Sequence, residues 1–403
     1  MEIKDYLHIA PQIEYMPSYN PKPETGWEGV KALWYQGAEY RGKPTKVFAY
    51  IGYPEIKGDE KVPAVVLVHG GGGHAHAHWV KMWNMRGYAA IAMDTTGFLP
   101  DESCKGLSGA ESGPHEKYVS ELYGEFADEN YTLGPQNDGF QGMELPLEEQ
   151  WGYHATTAII LAHNILLQDK RVDATKTGIA GVSWGGVLTS IVIGYDDRYA
   201  FAIPFYGCGY LGYAVKRTTL EFLKPDTRKV WGPEQRFDKV SFPVLWACAL
   251  KDANFCCYSN SQSYLDTKKV GSQLSIQAEL DHSHLAAWGC EEGYRFADAV
   301  LNGKLPFAVP LQEPKDAQEV LFEIQIPEDY EKLQVRLIYL TDSFSYDEEG
   351  MPICTYYTKK VTVKEQSICA KIPDDAKIYY FEFIGEVSGK QLISTSSLIM
   401  RES

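Results

Sequence analysis

The feature that most constrains the fold is an alternation of buried apolar runs with helix-like segments. The first run, residues 62–68 (VPAVVLV), is continuous and rich in valine. A glycine-rich turn and a segment with apolar residues at helical spacing lead to a second run, residues 88–93 (YAAIAM). Continuous apolar runs are typical of strands buried on both faces of a parallel sheet. Strand, helix and strand in this order predict an α/β protein.

The alternation continues along the chain, with two interruptions. A long helix is expected over residues 148–168, strands at residues 177–182, 201–206, 243–250 and 274–280, and further helices at residues 184–193 and 287–301. Residues 98–150 and 208–240 break the pattern and are predicted to be insertions. The first insertion holds 12 acidic residues and two lysines, which indicates a solvated surface segment or a lid that shapes a pocket.

The pattern changes after Pro310. Short alternating or apolar runs follow, separated by turn-rich residues and without a helical period, at residues 320–326, 333–340, 356–363 and 378–384. Such a pattern is typical of a small all-β, sandwich-like domain. We therefore predict an α/β domain over residues 1–310, with its two insertions, and a β-sandwich-like domain over residues 311–403.

The composition limits the classes of partner. The 403 residues include 54 acidic and 38 basic side chains, and the formal net charge of −16 disfavours nucleic acid and anionic membranes. No apolar run is long enough to span a bilayer, and the first residues lack the basic and apolar regions of a signal peptide. The eight cysteines show neither disulfide nor zinc spacing, so we expect reduced thiols and a cytoplasmic location.

The sharpest chemical motif is the pentapeptide GVSWG at residues 181–185, between a predicted strand and a predicted helix. This G-x-S-x-G pattern is typical of a nucleophile elbow, in which a strained turn projects the serine Oγ from the sheet. A simple Gly-rich turn is the alternative, but the strand before the motif and the helix after it favour the elbow. The motif therefore predicts that Ser183 is a nucleophile in an α/β-hydrolase fold.

A second glycine-rich motif, residues 69–73 (HGGGG), follows the first buried strand. Acyl transfer requires two backbone N–H groups directed at the developing oxyanion. We expect one from Trp184 and the other from Gly71 or Gly72. A phosphate-cradling loop is the alternative, but the chain has neither the P-loop nor the dinucleotide-binding pattern here.

A serine nucleophile needs a general base, and the base needs an acid to orient it. Asp252 directly follows a predicted strand and is expected to be the acid, with Asp281 as a rival. His282 and His284 both follow the last strand of the α/β domain. We favour His284 as the base, because it lies further from the strand end and precedes a helix, and keep His282 as the alternative. Serine, aspartate and histidine then follow the α/β-hydrolase order.

Three further histidines, His74, His76 and His78, come just after the glycine-rich motif. Closely spaced histidines can bind metals. No carboxylate or cysteine completes a cluster nearby, so we interpret them as polar groups at a pocket rim and expect no metal and no cofactor.

Three segments carry a family resemblance: residues 69–73 together with Trp79, residues 153–209, and residues 282–284. They resemble bacterial α/β-hydrolases of the acetylxylan esterase-like group, within the dienelactone hydrolase and prolyl oligopeptidase-like clan. The similarity covers roughly residues 45–305. Dienelactone hydrolases proper use a cysteine nucleophile, whereas this chain has a serine in that position.

The resemblance implies a serine esterase that acts on small acyl groups, often acetyl groups on glycans. Ser183, Asp252 and His284 match the triad positions of the family, and we expect His69 and Tyr206 to contact the substrate. We predict a serine carboxylesterase that removes small acyl groups, above all acetyl, from a small-molecule or oligosaccharide ester. The alternatives are a serine peptidase of the prolyl oligopeptidase type and a non-catalytic scaffold that binds a glycan or a partner.

Overall fold

The computed structural model describes residues 1–97, 131–132, 134–135, 139–213, 221–342, 345–346 and 352–401. Most of the acidic insertion predicted at residues 98–150 lies outside these ranges, as do residues 214–220 of the second insertion. The predicted fold class is confirmed, because a large mixed sheet with a parallel centre leads into an all-β C-terminal region. None of the helices in these ranges is long and apolar enough to cross a membrane.

The centre of the large sheet consists of six parallel strands in the spatial order β5-β4-β6-β7-β8-β9. An antiparallel group, β1-β2-β3, extends it beyond β5. These nine strands are β1 (Ile13–Tyr15), β2 (Lys31–Tyr40), β3 (Lys43–Gly52), β4 (Val62–Val68), β5 (Ala89–Met93), β6 (Val172–Val182), β7 (Phe201–Phe205), β8 (Leu245–Ala249) and β9 (Gln273–Gln277).

Seven α-helices belong to the described part of the chain: α1 (Ala77–Asn84), α2 (Trp151–Gln168), α3 (Trp184–Val192), α4 (Pro225–Trp231), α5 (Cys257–Thr267), α6 (His284–Gly289) and α7 (Glu291–Leu301). The single helix predicted at residues 287–301 is two helices, since Cys290 adopts an extended conformation between them. Gly289 has a poor helix propensity, and Glu291 and Glu292 favour the start of a new helix at its positive end.

The parallel strands bring their carboxyl ends to one edge of the sheet. In register, Val182 of β6 lies opposite Phe205 of β7, and Ala249 of β8 lies opposite Gln277 of β9. The turns that follow β6, β8 and β9 carry the three predicted triad positions. The sheet topology therefore gathers segments that are about 100 residues apart in sequence.

The N-terminal segment is tied to the α/β domain by polar side chains. Arg198 donates to Leu7 O at 2.8 Å and to Asn164 Oδ1 at 2.9 Å. The amide of Asn164 in turn donates to Tyr6 O and Ile9 O. These contacts hold the first residues against α2.

The C-terminal strands continue the large sheet, because β19 pairs with β9 and is followed in space by β18, β12 and β15. A four-stranded sheet, β10-β11-β17-β16, packs against this extension. The C-terminal strands are β10 (Val309–Pro310), β11 (Glu319–Gln325), β12 (Lys332–Leu340), β13 (Ser345–Tyr346), β14 (Pro352–Ile353), β15 (Tyr356–Val361), β16 (Val363–Lys364), β17 (Ser367–Lys371), β18 (Ile378–Val387), β19 (Lys390–Thr395) and β20 (Ile399–Met400).

The C-terminal region has a hydrophobic core of its own between the two layers. Phe322 of β11 packs edge-on against Phe381 of β18, with ring centroids 4.8 Å apart. Side chains of β12 and β18 also reach the main core, among them Ile338 and Tyr380. The division at residue 310 stays a prediction, and the sheet runs continuously across it.

Candidate active site

Ser183 occupies the turn between β6 and α3 with a backbone φ of +58°. A positive φ combined with a ψ of −120° is costly for a residue with a side chain and is characteristic of strained functional turns. The Ser183 N–H donates to Phe205 O at 2.9 Å, which fixes the turn to β7. The nucleophile-elbow geometry that the motif predicts is therefore present.

The flanking glycines of the motif are required by close backbone approach. A Cβ on Gly181 would lie 2.1 Å from Gly185 O, and a Cβ on Gly185 would lie 2.2 Å from Val68 O. Both distances are far inside van der Waals contact, and both involve backbone atoms. Only glycine allows β4, β6 and α3 to meet at this point.

A chain of hydrogen bonds joins the serine to a buried carboxylate through His282. Its Nε2 lies 2.9 Å from Ser183 Oγ, and its Nδ1 lies 2.7 Å from Asp252 Oδ2. The carboxylate only accepts, so Nδ1 carries the proton and Nε2 presents its lone pair to the serine hydroxyl. The His282 side chain is 25% exposed while that of Asp252 is fully buried.

Asp252 is held by its own loop. Its second oxygen, Oδ1, accepts hydrogen bonds from the backbone N–H groups of Asn254 at 2.7 Å and Phe255 at 2.9 Å. Each carboxylate oxygen therefore has a donor, as a buried charge requires. Asp281, the rival acid, has an exposed side chain.

The preference for His284 over His282 is corrected by this geometry. Ser283 caps α6, accepting from Ala286 N at 3.1 Å, and His284 is the first residue of the helix. This position directs its ring to the glycine-rich turn, where Nε2 accepts from Gly70 N at 2.9 Å. His282 lies in the preceding turn and faces Ser183 instead.

The glycine-rich turn lies beside Ser183. A Cβ on Gly70 would be 3.1 Å from Ser183 Cβ, and Gly73 N donates to Gly70 O at 3.0 Å to close the turn. Gly71 and Gly72 are both exposed, and within the described ranges Gly71 N has no hydrogen-bond acceptor. Trp184 N opens α3, where helix geometry leaves the N–H without an intrahelical partner.

His69 and Tyr206, expected to contact the substrate, are instead buried behind the site. Tyr206 has no exposed surface, and its hydroxyl donates to Asp281 O at 2.6 Å. Burial raises the pKa of Tyr206, so the hydroxyl keeps its proton. Its ring also packs on His282, with centroids 4.7 Å apart. His69 is 3% exposed and contacts Gly70 O and Thr95.

An aromatic group packs against the nucleophile turn, and the sequence motifs did not reveal it. The Trp184 ring lies 5.4 Å from Phe140, 6.4 Å from Phe222 and 5.8 Å from Phe255, measured between ring centroids. The Phe255 ring is stacked on His282 at 6.0 Å. Phe255 follows Asp252 by three residues, which is the one local signal that could have placed it here.

The histidine-rich segment, with His74, His76 and His78, directly follows the glycine-rich turn. The ring of His76 packs near His74 and His284, with centroid distances of 4.2 and 5.2 Å, and the ring of His78 stacks on Trp27. Among the described residues, no group of three or more histidine, cysteine or acidic side chains is arranged to hold a metal ion.

Comparisons with known proteins agree with this fold. Residues 143–300 match the model of the prolyl oligopeptidase family. The curated "Uncharacterized peptidase YuxL" of Bacillus subtilis (strain 168) is 21% identical over 246 residues, which are 57% of this chain and 32% of the relative. The chain thus spans about a third of the length of that relative.

Solved structures with a similar fold include an esterase and a peptidase. An acetyl xylan esterase from Paenibacillus sp. R4 superposes with a TM-score of 0.50 at 16% identity, over 74% of this chain and 90% of the other. The Pyrococcus horikoshii acylaminoacyl peptidase gives a TM-score of 0.45 at 17% identity, over 67% and 41% of the two chains. At 16% identity the likeness to the acetyl xylan esterase establishes the fold alone.

Proposed function

We propose that this chain, whose residues 143–300 match the prolyl oligopeptidase family, is a serine carboxylesterase acting on small acyl esters. The observation that carries this proposal is the hydrogen-bonded chain from Ser183 Oγ through His282 to Asp252, with both distances below 3 Å. A serine hydroxyl needs such a base to become a nucleophile at neutral pH.

In the proposed reaction, Ser183 Oγ attacks the ester carbonyl carbon while His282 Nε2 takes the hydroxyl proton. Asp252 holds the imidazole tautomer and stabilises the imidazolium that forms. The carbonyl oxygen becomes an oxyanion that accepts from Trp184 N–H and Gly71 N–H. His282 then protonates the leaving alcohol as the ester C–O bond breaks. Water, deprotonated by the same histidine, attacks the acyl carbon, and the acid leaves as His282 returns the proton to Ser183 Oγ.

The aromatic group beside Ser183 supports a small acyl part. Trp184 is 8% exposed, and Phe140, Phe222 and Phe255 are each at most 3% exposed, so these bulky rings are tightly packed around the nucleophile turn. Close-packed rings do not move aside for long chains without a packing cost. We therefore propose an acetyl group as the acyl part, and an acetylated oligosaccharide or small alcohol as the ester.

A serine peptidase is the second candidate. The match over residues 143–300 to the prolyl oligopeptidase family favours it, and so does the curated relative named a peptidase. Both candidates share the nucleophile and the base. They differ in the leaving group, which is an alcohol in one case and an amine in the other.

The test compares hydrolysis of p-nitrophenyl acetate, butyrate and octanoate with that of Ala-Pro-p-nitroanilide. Wild type, Ser183→Ala and the matched control Ser18→Ala, at an exposed serine, are assayed together. The proposal expects acetate turnover that falls with acyl length, disappears in Ser183→Ala and persists in Ser18→Ala. Cleavage of the anilide without cleavage of any ester would contradict the esterase proposal and support the peptidase.

A further inference from the structure

Two histidines hold consecutive peptide groups of the glycine-rich turn. His284 Nε2 accepts from Gly70 N at 2.9 Å, and His69 Nδ1 lies 2.8 Å from Gly70 O. The N–H of Gly70 belongs to the peptide that joins it to His69. Its carbonyl belongs to the peptide that joins it to Gly71.

The second of these peptides sets the direction of the Gly71 N–H. In a trans peptide the C=O and the following N–H point in opposite directions within one plane. Fixing Gly70 O therefore fixes Gly71 N–H. The carbonyl accepts from two donors, His69 Nδ1 and Gly73 N, and both lie on the side away from the free Gly71 N–H.

The tautomers of both rings follow from their partners. Thr95 N donates to His69 Nε2 at 3.0 Å, so the proton of His69 is on Nδ1 and is donated to Gly70 O. A backbone N–H can only donate, so His284 Nε2 must present a lone pair to Gly70 N. Only the neutral imidazole of His284 has that lone pair.

The surroundings of His284 keep its ring neutral. Burial lowers its pKa to about 3, and the neighbouring imidazoles of His69, His74 and His282 act in the same direction. The rings of His76 and Trp288 pack on it at 5.2 and 5.7 Å. A Cβ on Gly70 or Gly73 would come within 3.2 Å of His284 Nε2, so the imidazole touches the turn directly.

We propose that His284 is a positioning residue for the oxyanion site: by accepting from Gly70 N–H, it holds the turn so that Gly71 N–H faces the oxygen of the transition state. The inference rests on the proposed function, because it gives the second histidine of the segment Asp281–His284 a role in the same reaction. Donors that are already oriented contribute most when negative charge develops on the substrate oxygen.

The experiment uses His284→Ala, His284→Gln and the exposed control His8→Ala in the full chain. Glutamine can present a side-chain oxygen close to the position of Nε2, whereas alanine cannot. We expect His284→Ala to lower kcat about thirtyfold, less than the roughly 10²–10³-fold known for removal of an oxyanion donor, because the Gly71 N–H is misdirected and not removed. In His284→Ala, KM should change less than about threefold, because the interaction that is lost is made only in the transition state. His284→Gln should have a kcat that recovers at least about a third of this loss.

A second readout separates positioning from general loss of structure. A trifluoromethyl ketone adds to Ser183 Oγ, and its carbonyl oxygen becomes an oxyanion in the same site. The affinity of this inhibitor should fall in His284→Ala by about the same factor as kcat/KM. The inference is overturned if kcat stays within twofold of wild type, or if kcat falls while the ketone affinity is unchanged and glutamine restores nothing.

The outcomes also separate this inference from the proposed function. If wild type hydrolyses none of the esters or the anilide and binds no ketone, the proposed function fails. If wild type is active and Ser183→Ala is not, the proposed function stands, and the His284 variants then decide the inference alone.

Discussion

Asp252 Oδ2 lies 2.7 Å from His282 Nδ1, although the two residues follow different strands, β8 and β9. The contact exists because β8 and β9 are parallel neighbours and end at the same edge of the sheet. It leaves His282 Nε2 facing Ser183 Oγ. The role proposed for each of these hydrogen-bonded side chains leads to a separate prediction.

His282→Ala should abolish most turnover because no other side chain among the described residues is hydrogen-bonded to Ser183 Oγ. Removal of the base of a serine triad typically lowers kcat by about a thousandfold or more. The measurement is kcat on the best ester, and thermal unfolding shows that the fold is retained. His8→Ala, on the exposed N-terminal segment, is the matched control. Turnover above a tenth of wild type would exclude His282 as the base.

Asp252→Asn should lower kcat by about ten-thousandfold, because an amide in place of the carboxylate permits the wrong imidazole tautomer. The exposed Asp281→Asn is the control, since it makes the same change next to His282 without touching Nδ1. If the two substitutions had equal effects on kcat, Asp252 would not be the orienting acid.

Tyr206→Phe should lower kcat about fivefold with little change in KM. The substitution removes the donor to Asp281 O, and a hydrogen bond of this kind contributes about 1 kcal/mol. We expect the loss in kcat because the loop that carries His282 is held less firmly. Tyr210→Phe is a matched control, since Tyr210 also has a positive φ but its hydroxyl contacts Asp266 at the surface. An equal loss of kcat in the control would contradict this role.

The stability of the protein should fall as the pH is lowered from about 6.5 towards 4. Burial lowers the pKa of His284 to about 3 and also lowers that of His74 and His76. The unfolded chain therefore binds more protons than the folded one below pH 6.5, and this stabilisation is fully present only above that value. Each such group steepens the fall by about 1.4 kcal/mol per pH unit.

The pH effect can be assigned by comparing unfolding free energies of wild type and His284→Gln between pH 7.5 and 4.5. In His284→Gln the unfolding free energy should depend less steeply on pH, by about 1.4 kcal/mol per pH unit. His8→Gln, at an exposed position, should keep the wild-type slope. Identical slopes in wild type and His284→Gln would mean that His284 is not a buried neutral imidazole.

The C-terminal strands should unfold together with the α/β domain in one calorimetric transition. Ile393 of β19 accepts from Ser275 Oγ of β9 at 2.7 Å, and its N–H donates to Glu292 Oε1 at 2.9 Å. Glu292→Leu should lower the free energy of unfolding by about 1–3 kcal/mol, because it leaves the partly buried Ile393 N–H unpaired, and the single transition should not split. Two separate transitions in wild type would instead show independent domains.

The nucleophile turn could be predicted from sequence because its determinants are local. Gly181, Ser183 and Gly185 lie within five residues, and the close approach of β4, β6 and α3 leaves no room for other residues at the glycines. Asp252 could be predicted for the same reason, because it closely follows a strand that the sequence pattern reveals.

The choice between the two histidines could not be made locally. His282 and His284 are two residues apart, and their ring directions depend on where α6 begins and on how Tyr206 holds Asp281 O. The positions of His69 and Tyr206 likewise depend on partners that are distant in sequence, Thr95 for His69 and Asp281 O for Tyr206. Phe140 and Phe222 join the aromatic group from distant segments, and no motif marks them.

The most direct test of the account is covalent labelling with a fluorophosphonate, followed by peptide mass spectrometry. We predict one adduct on Ser183 in wild type, none in Ser183→Ala and labelling slowed at least about a hundredfold in His282→Ala, the usual range for loss of a general base. His8→Ala should label at the wild-type rate. An adduct on another residue, or unchanged labelling in His282→Ala, would contradict the catalytic chain from Asp252 through His282 to Ser183.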